Sequence, residues 1–335
     1  MTESTPDTVQ AATTKKLATK EGFGLAPPPV GPLRSRFGCP PFTDINTRNK
    51  DWQKRRRLWL SLGIRSEEGR EGKLTFSIPD KLKDGSVGAR TSSQTSIFDP
   101  MLCELAYGWW CPPGGVIGDP FAGGSVRGIV ASVMGFKYCG IELRAEQVEA
   151  NRLQAAPGTQ CVGEYPPRWK CGDSDVEAAG LPELDFIFSC PPYGDLEVYS
   201  DDARDISNMT YEQFLVVYTR IIAKTMARLK DNRFACFVVS NFRDKKDGWL
   251  RRFDNDTANA FEAAGGRLWT YARIINSVGT AAMRTNGTFV RGNRKLVNTT
   301  QDMLVFCKGD PAAAAALIPA DAGITATAET TPTEE

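Results

Sequence analysis

The chain has no histidine at any of its 335 positions. That excludes imidazole general bases, histidine-held metals, and Ser-His or Cys-His nucleophile pairs, so any catalysis must move protons without the usual side chain for it. Nine cysteines are present, yet none stand as C-x-x-C. Their spacing fits neither a zinc site nor a small disulfide scaffold, and no metal is expected. No apolar run approaches the ~20 residues of a membrane span, and the polar N-terminus lacks the apolar core of a signal peptide. A reducing, cytoplasmic compartment and no membrane partner are expected. An excess of charge of either sign is missing too, with 41 Lys and Arg against 40 Asp and Glu. Only local clustering can therefore point to a partner.

The length admits one large α/β domain or two small ones. Residues 1–41 are polar and then Pro- and Gly-rich, which predicts a disordered segment. Residues 42–95 form a charged stretch with aromatics, 96–310 carry strand and helix patterns throughout, and 311–335 are rich in Ala, Thr, Pro and Glu, a second disordered segment.

The most informative stretch is Asp185 to Tyr193, Asp-Phe-Ile-Phe-Ser-Cys-Pro-Pro-Tyr. An apolar run too short for a helix, ended by two prolines, reads as a buried parallel strand with a stiffened C-terminal tip. Pro191 and Pro192 bring no amide hydrogens, so the carbonyls of Cys190 and Pro191 are acceptors held in a set direction. Tyr193 adds a flat face. A rigid acceptor beside an aromatic platform suits a planar ring that carries an amino group.

Upstream, Val116 to Asp119 reads as a strand, Gly123, Gly124 and Gly128 as a turn opening a helix, and Lys137 to Glu142 as a second strand closing on a carboxylate. The glycine register is not G-x-G-x-x-G, which disfavours a pyrophosphate site. Glu142 stands about 20 residues past the turn, where nucleoside-binding α/β folds grip a ribose diol. Asp173, in another strand-to-loop transition, is placed to accept from an adenine amino group. Before the first strand, Asp99 and Pro100 form a helix start of N-cap followed by proline.

Two basic clusters are candidates for phosphate contact. Arg48 to Leu60 interleaves six basic residues, Arg55, Arg56 and Arg57 among them, with Trp52 and Trp59. A loop from Gly279 to Thr300 holds Arg284, Arg291, Arg294 and Lys295.

Together these residues carry a resemblance. Asp119-Pro120-Phe121-Ala122-Gly123-Gly124 resembles motif I of class I S-adenosylmethionine-dependent methyltransferases, and Cys190-Pro191-Pro192-Tyr193 resembles motif IV of the amino-methylating DNA methyltransferases. The likeness covers roughly Ser96 to Asp310. It implies an α/β, Rossmann-like fold with a mostly parallel seven-stranded sheet and helices on both faces. It further implies S-adenosyl-L-methionine as cofactor, with Phe98, Asp99 and Pro100 flanking its methionine end. Asp119, Phe121 and Gly123 would form the turn beneath it, Glu142 would hold the ribose and Asp173 the adenine. DNA is the implied partner: a flipped base, methylated at cytosine N4 or adenine N6, as in restriction-modification.

Where the family has Asp, Asn or Ser at the first position of motif IV, this chain has Cys190, with Ser189 just before it. The expected catalytic set is Ser189, Cys190, Pro191, Pro192 and Tyr193. An RNA base or a protein glutamine amide offers a similar planar amine, and a non-catalytic nucleic-acid-binding relative is the reading from another class. Recognition would fall to residues 42–95 and the Gly279 to Thr300 loop.

Overall fold

The computed structural model describes residues 39–65, 68, 98–194, 199–279 and 281–320. Nearly all of the expected N-terminal disordered segment, much of the second half of the 42–95 stretch, and the end of the C-terminal tail lie outside these residues.

Strand β1 (Asp44–Asn46) and helix α1 (Lys50–Ser61) come first, then α2 (Pro100–Trp110), β2 (Val116–Asp119), α3 (Val126–Val133), β3 (Lys137–Glu142), α4 (Ala145–Gln154), β4 (Arg168–Cys171) and the short α5 (Ser174–Glu177). The second half runs through β5 (Leu184–Ser189), α6 (Tyr211–Arg228), β6 (Leu229–Val239), a hairpin of β7 (Phe242–Arg243) and β8 (Leu250–Arg251), α7 (Phe253–Ala263), β9 (Gly266–Ile275), α8 (Ala281–Thr285), β10 (Thr300–Lys308) and α9 (Pro311–Ala316).

Eight strands form one sheet in the order β1-β9-β10-β6-β5-β2-β3-β4. Strands β6, β5, β2, β3 and β4 run parallel, whereas β10 is antiparallel to both of its neighbours. The α/β fold with a mostly parallel sheet is therefore present, with one strand more than expected, because β1 pairs in parallel with the end of β9. Every residue of β5 is buried, as a continuous apolar run flanked by parallel neighbours requires. On one face α6 and α7 pack Phe214, Tyr218, Phe253 and Phe261 over Phe237 and Phe306. On the other, Tyr107 of α2 lies edge-on to Phe186 and Phe188 of β5.

Three sequence expectations need correction. The basic cluster turns partly inward: the described residues from Phe42 onward belong to one unit, and α1 docks on α2. Trp52 donates to Asp99 at 2.9 Å, and Trp59 donates to Glu104 at 2.5 Å. Arg55 grips both oxygens of Glu104, at 2.6–3.1 Å. Positions 52, 55 and 59 share a helix face, so both tryptophans and one of the four arginines of this cluster face inward along it. The tail is also ordered at its start: Asp310 caps α9, Pro311 takes its first position, and Ala314 is buried. Finally, the Gly279 to Thr300 loop contains α8 and a π-turn at Asn286–Val290. No helix among the described residues is long and apolar enough to cross a membrane.

The starts of β2, β5 and β6 are tied together by Asp185, which accepts from the Val116 amide at 3.0 Å, Lys230 at 3.0 Å and Arg233 at 3.2 Å. Burial works to raise its pKa, but those three donors outweigh it and hold the carboxyl below its ordinary value. A depressed folded-state pKa contributes stability that is full above the unfolded value of ~3.9 and lost as pH falls through the folded one. Asp185→Asn is therefore expected to cost about 2 kcal/mol near neutrality and to flatten the acid limb of a melting-temperature profile against pH. An unchanged acid limb would contradict this role.

Candidate active site

The chain leaves β2 for β3 and β4 on one side of the sheet, then returns through β5 to β6 on the other. At such a reversal the loops after the strand tips diverge and leave a crevice. Here it is a cleft of about 920 Å³, at the upper end of the range for small-molecule sites. Phe98, Asp99, Phe121, Gly123, Glu142, Asp173, Cys190, Pro191, Pro192, Tyr193 and Arg56 all line it. The glycine turn and the Pro-Pro corner, some 70 residues apart in sequence, thus open into one space.

Three of the expected catalytic and cofactor residues do not. Asp119 is fully buried, and its carboxylate is saturated from within. Oδ1 accepts from Ser189 Oγ at 2.6 Å and the Phe121 amide at 3.1 Å, and Oδ2 from Arg127 Nε at 2.5 Å and Tyr138 Oη at 2.7 Å. Ser189 likewise turns its hydroxyl inward, away from any guest, and Pro100 is buried at the start of α2. Asp119 therefore holds the turn that bears the cleft, from behind.

Arg127 is the residue that sequence reasoning missed here. Its guanidinium also donates to the carbonyls of Phe121 at 2.5 Å and Ala122 at 2.9 Å, and lies 4.9 Å from the centre of the Phe98 ring. Burial opposes its charge, yet the adjacent Asp119 raises its pKa above the ordinary arginine value. One buried cation thereby joins β2, the glycine turn and the wall before α2. A lone arginine in the otherwise small and apolar helix Val126–Val133 was the available signal.

Beyond the turn, Gly123 has φ +52°, a conformation that favours glycine. Its amide donates to Glu142 Oε2 at 2.9 Å, and the Arg144 amide donates to Oε1 at 2.9 Å. The tip of β3 and the turn after β2 are so fixed to each other, with the carboxylate at the cleft wall. Asp173 caps α5 through Oδ1, at 2.8 Å from the Asp175 amide; Oδ2 has no hydrogen bond among the described residues. Asp99 caps α2 and accepts from Trp52; burial, opposed by Trp52, Met101 and Arg56, raises its pKa.

At the opposite wall, Tyr193 packs its ring edge-on to Phe253, with centroids 6.0 Å apart. Its hydroxyl accepts from Gln301 Nε2 at 2.8 Å and lies 3.6 Å from Cys190 Sγ. Gln301 in turn accepts from Asn276 at 3.1 Å. Burial, and then the neighbouring thiol, pushes the Tyr193 pKa well up, so the phenol stays neutral. Gln301, 108 residues away in sequence, carried no signal. Thr47, Arg48 and Gln53 from the β1–α1 segment line the cleft as well, also unforeseen.

The remaining basic residues stand elsewhere. Arg55 is held by Glu104 and Arg57 is exposed on the outer face of α1. Arg284, Arg291 and Arg294 are exposed, and Lys295 lies against Gly248 of the β7–β8 hairpin.

No protein-family model matches the chain, and no curated protein matches its sequence. Several solved structures align with part of the chain. TrmN from Thermus thermophilus aligns with 63% of this chain and 49% of its own, at 15% identity and a TM-score of 0.41, so this chain spans about half of TrmN's length. A TehB-like SAM-dependent methyltransferase from Corynebacterium glutamicum aligns with 64% and 89%, at 16% identity and a TM-score of 0.38. Magnesium protoporphyrin IX methyltransferase from Synechocystis, solved with bound SAM, aligns with 58% and 71%, at 11% identity and a TM-score of 0.34.

Proposed function

We propose that the chain is an S-adenosylmethionine-dependent DNA methyltransferase that acts on an exocyclic amino group, cytosine N4 or adenine N6, of a flipped base. One observation carries this reading: the Gly123 turn with its Glu142 and Asp173 tips, and the Cys190 to Tyr193 corner, share a single cleft.

The lining suits the cofactor. Two carboxylates on adjacent strand tips match a ribose diol and an adenine amino group, Glu142 for the first and Asp173 for the second, and the glycine turn lets a ligand approach backbone. Phe98 and Asp99 would flank the methionine end. When bound, S-adenosylmethionine supplies an electrophilic methyl group on a sulfonium.

The protein's own part is to make a poor nucleophile competent. The lone pair of an exocyclic amine is delocalised into its ring. Accepting both hydrogens at the carbonyls of Cys190 and Pro191 turns that lone pair out of the ring plane, toward the methyl group. Ser189 takes no part, since its hydroxyl is committed to Asp119. Tyr193, fixed by Gln301, would bear on the base. The methylated nitrogen is acidic enough to release its proton to an adjacent acceptor or water, so a chain without histidine suffices. Extrusion from a duplex costs a few kcal/mol, offset in part by stacking.

Incubation with methyl-labelled cofactor and DNA, RNA or protein, followed by mass identification of the modified product, tests the proposal. N4-methylcytosine or N6-methyladenine in DNA is expected. Label confined to RNA or glutamine would refute the assigned substrate, and failure to bind the cofactor in calorimetry would refute the enzyme.

A further inference from the structure

Immediately after β6, on the side of the sheet where the cleft opens, the β7–β8 hairpin projects a tryptophan into solvent. Trp249 is 77% exposed and its neighbour Leu250 49%. An exposed indole on a soft loop would mean little, but this hairpin is firmly built. The Asp244 amide donates to the Trp249 carbonyl at 2.9 Å, the Gly248 amide donates to the Asp244 carbonyl at 3.0 Å, and Asp247 accepts from the Trp249 amide at 2.8 Å. Arg251 donates to Asp244 at 2.5 Å and lies 4.7 Å over the Tyr211 ring.

The hairpin's charge is one-sided. From Arg243 to Arg252 there are five basic residues (Arg243, Lys245, Lys246, Arg251, Arg252) and two acidic ones (Asp244, Asp247). Lys245, Lys246 and Arg252 are exposed, and Lys295 reaches in from the neighbouring loop to lie against Gly248. A polyanion is the complementary surface.

Its root adjoins the reacting corner. Phe242 is buried between Tyr211 and Phe253, at 5.7 and 5.9 Å between ring centres, and Tyr193 packs on the same Phe253 at 6.0 Å. Gly194, directly after Tyr193, has φ +55° and leaves no room for a side chain, since a Cβ there would come within 2.9 Å of the Phe242 ring. Corner and hairpin are thus parts of one packed wall.

We propose that this hairpin engages duplex DNA beside the target base, with Trp249 stacking on bases next to the vacated position and the surrounding lysine and arginine side chains on phosphates. Indole-on-base contact tolerates any sequence, because every base has a π face. The inference rests on the DNA reading above and names a contact outside the cleft.

Affinity for duplex DNA, measured by fluorescence anisotropy over a salt series beside calorimetric cofactor binding, tests it. Trp249→Ala is expected to weaken duplex binding about tenfold with cofactor affinity unchanged, and Trp249→Phe to retain most of it. Lys246→Gln should reduce the slope of log affinity on log salt by about one. A Trp249→Ala protein that binds duplex as the wild type does would overturn the hairpin assignment while methyl transfer to DNA stands. A wild-type protein that binds cofactor but no DNA would overturn both.

Discussion

Tyr193→Ala is expected to lower turnover on DNA roughly tenfold to a hundredfold, the range that one base-on-aromatic contact is worth, while affinity for S-adenosylmethionine stays near that of the wild type. The separation follows from the geometry, because Tyr193 stands with Cys190 and Gln301 at one wall of the cleft and Glu142 with Gly123 at another. Tyr193→Phe keeps the ring and loses the hydroxyl's hydrogen bond from Gln301 and its weaker contact with Cys190 Sγ, about 1 kcal/mol, so it should fall several-fold at most. Steady-state rates and calorimetric cofactor binding on the three proteins decide the matter. Equal loss of cofactor affinity and turnover in Tyr193→Ala would contradict the assigned role.

Arg127→Ala is expected to be the most destabilising single change near the site. It leaves Asp119 buried without its cation and the carbonyls of Phe121 and Ala122 without a donor. Breaking a buried pair in this way costs about 3–5 kcal/mol, which for a chain of this size lowers the melting temperature by roughly 6–20 °C. Arg127→Lys, which keeps a charge but cannot reach three acceptors, should lie between. A penalty under 1 kcal/mol would show that the turn is held by something else.

The sheet was legible because its signals are local. Asp-Phe-Ile-Phe-Ser before two prolines has few readings other than a buried strand tip, and Lys137–Glu142 was foreseen residue for residue. Helix starts were less so where no N-cap announced them: α3 begins at Val126, ahead of the Gly128 that was read as part of the turn, and has no side-chain cap. Side-chain direction was not legible at all. A carboxylate at a strand tip looks the same in sequence whether it turns outward, as Glu142 does, or inward, as Asp119 does. What decides is a phenol from β3, an arginine on α3 and a serine on β5, and only the folded chain brings these together. The arginines of α1 posed the same problem, since Arg55 is drawn inward by Glu104, 49 residues on. The Gln301 contact with Tyr193 depends on packing between distant segments and left no local trace.

A crystal structure with S-adenosylhomocysteine tests the central claim most directly. It is expected to show the ribose hydroxyls on Glu142, the adenine beside Asp173 and the sulfur facing the Cys190 to Tyr193 corner across open space. A nucleoside bound outside this cleft, or a sulfur turned away from Tyr193, would contradict the account.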